Sequence, residues 1–324
     1  MLQQASLHVT ANSGEEPWTR EELAGHCADA DAMMCFMPDT VDEDFLERCP
    51  KLKMIGCALK GFDNFDVDAA TERGIWVTYV PGLLTEPTAE LAIGMIIAAN
   101  RKVRAGDELV RSGRFQGWRP VLYGRGLHNA TVGIWGFGAV GQAIATQLSG
   151  FGCAVRTHDV IARPAIAARL GCEESSFEAV MSCDVVVTAV PLNLTTRHGI
   201  DRRVIAERMS ENTLLCNISR GSVVCEQAVA NALHAGTLGG YAADVFEFED
   251  WALPDRPLGV SAELLSAPNT LFTPHLGSAV CEVRQAIEKS AAAAIVEWAR
   301  GDSPPSNALN SVCSARGLID KGAR

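Results

Sequence analysis

Short apolar runs rich in β-branched residues alternate along this chain with segments of helical period. Ala32–Phe36, Leu52–Ala58 and Ile75–Tyr79 read as strands, separated by helical patterns at Asp42–Arg48 and Asp66–Glu72. A second series of strands follows at Thr131–Trp135, Cys153–His158, Asp184–Val190, Thr213–Asn217, Gly240–Val245 and Thr270–Thr273, with helical stretches between most of them. Strand–helix alternation on this scale predicts parallel sheets with right-handed crossovers, an α/β fold.

A long helical segment runs from Thr88 to Val110, with Pro87 suited to its first turn. Another places Val283, Ala286, Ile287, Ala294, Ile295 and Trp298 at helical spacing. Breaks at Pro81-Gly82 and Pro274-His275 divide the chain into residues 1–82, 83–274 and 275–324. The middle block predicts one domain. The two flanks predict a second, smaller domain built from both chain ends. Leu7-His8-Val9-Thr10 is expected to give a single strand, and the tail from Gly301 onward to wrap loosely on the surface.

Composition narrows the class. Of 324 residues, 48% are hydrophobic and 21% charged, which excludes a disordered or collagen-like chain. Acidic residues number 39 against 28 basic ones, for a net charge of −11, and no long Lys/Arg run is present. Nucleic acid and membrane are therefore excluded as partners, and a small anion needs a locally basic pocket. The eleven cysteines are odd in number, scattered and free of any Cys-x-x-Cys pair. Cys35, Cys57, Cys153 and Cys216 sit in apolar runs, which predicts reduced core residues of a cytoplasmic protein. Met1–Arg20 has neither the basic nor the apolar part of a signal peptide, and no apolar run reaches the roughly 18 residues of a membrane span. No His/Cys ligand spacing occurs, so no metal is expected. His8, His26, His128, His158, His198 and His234 read as surface or structural residues.

The strand at Thr131–Trp135 runs into Gly136-Phe137-Gly138-Ala139-Val140-Gly141 and then a helical pattern. In that position the first glycine permits a tight turn, the second a close approach to a pyrophosphate, and the third close packing of helix on strand. The helix N-terminus then faces the anion with its N–H groups. Asp159 ends the next strand, eighteen residues after Gly141, where an acid accepts hydrogen bonds from a ribose diol and repels a 2′-phosphate. These residues predict a doubly wound Rossmann-type domain that takes NAD in preference to NADP, with Arg156 and Arg163 near enough to leave some tolerance of NADP.

Three polar residues stand at or after strand ends in the second half: Arg220 in Cys216-Asn-Ile-Ser-Arg-Gly-Ser222, Glu249 in the run to Trp251, and His275 after Pro274. Singly, each reads as a salt-bridge partner or a structural residue. Together, beside a dinucleotide fingerprint, they resemble the D-isomer-specific 2-hydroxyacid dehydrogenase superfamily. The closer resemblance is to its phosphite (phosphonate) dehydrogenase branch, over residues from about Trp18 to about Asn310. It is carried by Ala32–Asp39, Gly56–Asp66, Arg111–Trp118, Gly239–Trp251 and Asn269–Val280, and above all by Lys60 and by Glu249-Asp250-Trp251.

That resemblance implies NAD-dependent oxidation of phosphite to phosphate in a homodimer, with a smaller flavodoxin-like substrate domain. It implies that Arg220, Lys60 and the Gly61 backbone bind the oxyanion, and that His275 is the general base oriented by Glu249. Met37 and Arg284 would support the pocket, and Trp118 and Tyr123 would reach the other subunit's site. Leu84, Thr88, Val190, Pro191, Ile218, Ser219, Asp244, Gly277 and Ser278 would join the glycine motif around NAD. The helical segment Thr88–Val110 would serve dimerisation. The superfamily's substrate domain begins with a strand and a helix ahead of the segment matching Leu7–Asn12, so this domain is expected to lack its first strand. The chemistry fits: a dianion in an acidic protein needs converging cations, and histidine suits a base working near neutral pH. Two alternatives stay open. One is a D-2-hydroxyacid dehydrogenase in which Arg220 clamps a carboxylate and His275 serves the C2 oxygen. The other is a catalytically silent NAD-sensing protein.

Overall fold

The computed structural model describes residues 1–301 and 304–312, so most of the tail expected to wrap on the surface lies outside the described residues. The chain forms two compact units, one of Met1–Leu84 with Val280–Arg324 and one of Thr85–Ala279. The second boundary falls later than Pro274-His275, which places His275, Gly277 and Ser278 with the larger unit rather than the chain end.

In the smaller unit, β1 (Ala32–Cys35), β2 (Met54–Cys57) and β3 (Trp76–Thr78) form a parallel sheet in the order β1-β2-β3. The helices Glu43–Arg48 and Val67–Glu72 connect them, started by Asp42 and Asp66, whose carboxylates accept from Phe45 N at 2.9 Å and Ala69 N at 2.8 Å. Side-chain alternation sends Cys35, Ile55, Cys57 and Val77 to a core with Phe45, Leu46 and Leu52, and Met54 and Trp76 to the helix Cys281–Arg300. That helix packs so closely that a Cβ on Gly56 would lie 2.9 Å from Ile295. Leu7–Thr10 forms no strand, contrary to expectation. Leu7 instead joins Leu2 against the cluster of Met54, Trp76 and Ile295, satisfied by apolar contact without a ladder partner.

The larger unit is a seven-stranded parallel sheet of β4 (Thr131–Trp135), β5 (Ala154–His158), β6 (Glu173–Glu174), β7 (Val185–Thr188), β8 (Leu214–Asn217), β9 (Gly240–Ala243) and β10 (Thr270–Phe272). Its order is β10-β9-β8-β7-β4-β5-β6, the doubly wound arrangement whose direction reverses between β4 and β7. Both faces are covered, which is why the strands read as unbroken apolar runs. Val186, Leu215, Tyr241 and Ala243 enter one core with Met181, Ile205 and Val229. Val185, Val187, Leu214, Cys216 and Ala242 enter the other with Ile96, Ile144 and Leu148. No helix among the described residues is long and apolar enough to cross a membrane.

The single helix expected over Thr88–Val110 is two helices, Thr85–Asn100 and Val103–Arg111, separated at Lys102 in the left-handed region with φ 52°. The returning chain is the cause. Arg125 N donates to Asn100 O at 3.0 Å, taking the carbonyl that a continuous helix would use, and a Cβ on Gly124 would lie 2.0 Å from that oxygen. The first helix is buried and apolar, whereas the second buries none of its residues.

Helix-on-sheet contact at β4 leaves no room for a side chain at Gly133, where a Cβ would lie 2.3 Å from Val180 O. Gly133→Ala is therefore expected to destabilise the protein by about 1–3 kcal/mol, the usual cost of overpacking, read as a lowered midpoint in thermal unfolding.

Candidate active site

The loops after β8, β9 and β10 carry the three polar residues singled out in the sequence, Arg220, Glu249 and His275. His275 stands three residues after β10, held in the left-handed region at φ 57°. That conformation costs a non-glycine residue about 1–2 kcal/mol and needs support from its surroundings. Asp244, at the end of β9, provides it. Its carbonyl accepts from His275 N at 2.8 Å, and its carboxylate accepts from Thr273 Oγ1 at 2.6 Å, Leu276 N at 2.7 Å and Gly277 N at 2.9 Å. Asp244 is fully buried, and burial pushes its carboxyl above the ordinary range while these hydrogen bonds pull it back. Thr88 Oγ1 donates to Gly277 O at 3.2 Å, fastening the same loop to the helix Thr85–Asn100.

His275 Nδ1 lies 2.7 Å from Glu249 Oε2. The other oxygen, Glu249 Oε1, accepts from Phe246 N at 2.9 Å, which locks the carboxylate into its own turn of 3-10 helix, Glu247–Glu249. With the Nδ1 proton directed at a carboxylate, the neutral ring carries its lone pair on Nε2.

Arg220 follows β8 on a turn set by Asn217, whose Nδ2 donates to Arg220 O at 2.9 Å and whose Oδ1 accepts from Thr188 Oγ1 at 2.7 Å and Ser219 Oγ at 3.0 Å. The guanidinium donates from Nη1 to Ser219 O at 2.8 Å. This turn touches the Glu249 turn directly: a Cβ on Gly221 would overlap the Phe246 carbonyl carbon at 1.8 Å. Ser222 N also donates to the buried carboxylate of Asp250 at 2.6 Å. In the Glu249-Asp250-Trp251 run, then, Glu249 orients the imidazole and Asp250 ties down the Arg220 turn. Trp251 stacks under Arg256, whose Cζ is 4.2 Å from the ring centroid. From the sequence, the resemblance implies a role for Glu249, while Asp250 and Trp251 serve only as family marks. The burial of Asp250 and the closeness at Gly221 leave no sequence signature.

At the reversal of strand order, Gly136 (φ 101°) turns the chain and Gly141 packs against Gly136 O, where a Cβ would lie at 2.0 Å. Nothing lies within 4 Å of a Cβ placed on Gly138, the N-cap of the helix Ala139–Leu148. That open cradle of backbone N–H groups suits a pyrophosphate. Phe137, expected to touch the cofactor, buries its ring in the core, and only its backbone faces Asp159, N to Oδ2 at 2.6 Å. Val190 and Ile218 are likewise packed on the two cores, and Pro191 O accepts from Thr196 Oγ1 at 2.6 Å. Asp159 pairs with Arg163 at 3.1 Å, while Arg156 turns to Glu173 at 3.3 Å.

Lys60 and Gly61 follow β2, Met37 follows β1 with its carbonyl accepting from Asn64 Nδ2 at 2.9 Å, and Leu84 packs with Val80 and Ile287. Arg284 lies in the first turn of the helix Cys281–Arg300. Lys60 is half-buried, and burial pushes its ammonium down with no carboxylate offsetting it among the described residues. Trp118 and Tyr123 are exposed.

Residues 93–277 match the family model described as D-isomer specific 2-hydroxyacid dehydrogenase, NAD binding domain. Glyoxylate reductase of Thermococcus litoralis is 36% identical over 283 residues, covering 86% of this chain and 83% of that one. The chain belongs to the D-isomer-specific 2-hydroxyacid dehydrogenase family. Among solved structures, a protein of Thermus thermophilus superposes on this dehydrogenase with a TM-score of 0.86 at 32% identity, covering 95% of each chain. D-lactate dehydrogenase of Aquifex aeolicus, solved with NAD and lactic acid, gives a TM-score of 0.80 at 26% identity, covering 93% of this chain and 92% of that one. NAD is the cofactor, and the glycine cradle and Asp159 fit it.

Because both carboxylate oxygens of Asp244 accept from donors, an amide in its place must face one of them with N–H. Asp244→Asn is expected to cost about 1–3 kcal/mol of stability in denaturant unfolding, and to lower kcat by loosening the His275 loop.

Proposed function

We propose that this dehydrogenase interconverts a small 2-hydroxy acid and its 2-keto acid, with glyoxylate among the keto acids it reduces. The observation that carries the reading is the His275–Glu249 pair at 2.7 Å, set beside an arginine-bearing turn at the carboxyl ends of the strands. The names of the relatives, glyoxylate reductase and D-lactate dehydrogenase, support a carboxylate substrate better than phosphite.

In this reading Arg220 grips the substrate carboxylate through two parallel N–H groups. During oxidation Nε2 of His275 takes the proton of the C2 hydroxyl as the carbonyl forms; during reduction the imidazolium returns that proton to the carbonyl oxygen. Glu249 holds the ring in the required tautomer and stabilises its charged form. NAD, bound by the glycine loop and Asp159, supplies the hydride acceptor or donor. Trp118, Tyr123 and the helix Val103–Arg111, which buries no residue, support a homodimer, and the ten free cysteines among the described residues support a reducing, cytoplasmic setting.

A specific observation favours a second reading, oxidation of phosphite to phosphate. Lys60 is half-buried without an offsetting carboxylate among the described residues, which suits a bound dianion better than a carboxylate monoanion. There Arg220 binds the oxyanion and His275 takes a proton from the attacking water, while Lys60, Gly61, Met37 and Arg284 keep the roles that the resemblance gives them. Hydride leaves phosphorus as the new P–O bond forms.

NADH absorbance separates the readings. We expect NADH consumption with glyoxylate and no NADH formation from phosphite. Phosphite-driven NADH formation without keto-acid turnover would overturn the first reading in favour of the second, and Lys60→Met would then abolish phosphite turnover while sparing NAD binding. His275→Asn is expected to lower kcat by roughly 10²–10⁴-fold under either reading. Asp159→Ala is expected to weaken NAD binding while leaving NADP binding unchanged or improved, as measured by titration of each cofactor.

A further inference from the structure

The larger unit gathers a nitrogen, a sulfur and an oxygen donor outside the residues used above. His198, Cys225 and Glu247 offer ligand atoms that all lie within 4.8 Å of one another, and His198 Nε2 is 3.2 Å from Glu247 Oε2. Each residue is half-buried. We propose that these three residues form a binding site for a divalent ion of the zinc class.

Donor chemistry and scaffold both support it. An imidazole, a thiolate and a carboxylate make a neutral set with a divalent cation, the mixture that borderline-soft zinc accepts in tetrahedral sites with one position left to water. The donors stand on a pre-tied frame. His198 N donates to Ser222 O at 2.6 Å, Ile200 N to Val223 O at 3.2 Å and Cys225 N to Ile200 O at 3.0 Å. Glu226 N donates to Glu247 Oε1 at 2.8 Å, and Glu247 N returns a bond to Glu226 Oε1 at 2.7 Å. Thus the 198 loop, the start of the helix Glu226–His234 and the Glu247–Glu249 turn are already fastened to one another. The ligand atoms, at most 4.8 Å apart, need only a small contraction to reach the separations of a first coordination shell. On binding, a metal–sulfur bond replaces the S–H bond and the thiol proton goes to solvent, while the imidazole proton moves to Nδ1 so that Nε2 can coordinate. An ion here would brace the turn bearing Glu249 against the segment that follows Arg220. The ligands are 27 and 22 residues apart in sequence, so no spacing motif announces them.

Cobalt(II) titration of the full-length protein, with absorbance read in the near ultraviolet, tests the site. We expect a thiolate-to-cobalt charge-transfer band that zinc abolishes by competition. The band should persist in Cys281→Ser, an exposed thiol elsewhere, and be lost in Cys225→Ser. Serine is a good helix N-cap, so that variant should fold. His198→Gln should weaken cobalt binding by more than the roughly 10–100-fold typical of losing a supporting hydrogen bond. Absence of the band in the unaltered protein at millimolar cobalt, or its survival in Cys225→Ser, would overturn the proposal.

Discussion

A neutral imidazole takes a proton at Nε2 when its own proton sits on Nδ1, and Glu249 is placed to hold that tautomer of His275. Everything around that contact serves to keep it. Phe246 N fixes the carboxylate from behind, and Asp244 holds the His275 backbone in a conformation that histidine adopts at a cost. The parallel sheet sets the distance between the two loops, because β9 and β10 are neighbours in register and deliver Glu249 and His275 from adjacent strand ends.

The same region concentrates acid. Asp244, Glu249, Asp250, Glu226 and Glu247 lie on loops that touch one another, in a protein that is already net negative. Each is answered differently. Asp244 and Asp250 are buried and take backbone N–H groups, while Glu249 faces an imidazole. Burial pushes Glu226 up to about 7, and its carboxyl accepts from Glu247 N at 2.7 Å. Backbone donors thus answer most of the buried acidity in these loops.

The sequence made the architecture readable because the strands of a doubly wound sheet are buried on both faces. Runs such as Val185–Thr188 and Leu214–Asn217 stand out from the helices around them. The glycine turn, Asp159 and the three polar residues at strand ends were legible for the same reason: position after a strand is itself a signal. What stayed hidden depends on contacts between distant segments. The break at Lys102 is imposed by a chain returning at Arg125, and Leu7–Thr10 has strand-like residues but no ladder partner. Phe137 sits inside the fingerprint yet turns its ring to the core. Asp250 and the grouping of His198, Cys225 and Glu247 arise only when three loops meet.

The tautomer of His275 is open to direct measurement. Nitrogen-15 NMR of the imidazoles, with His275 assigned through His275→Asn, distinguishes a ring protonated on Nδ1 from one protonated on Nε2. We expect a neutral ring with its proton on Nδ1 and a downfield proton signal that moves upfield in Glu249→Gln. A neutral ring protonated on Nε2, or a signal indifferent to Glu249→Gln, would contradict it.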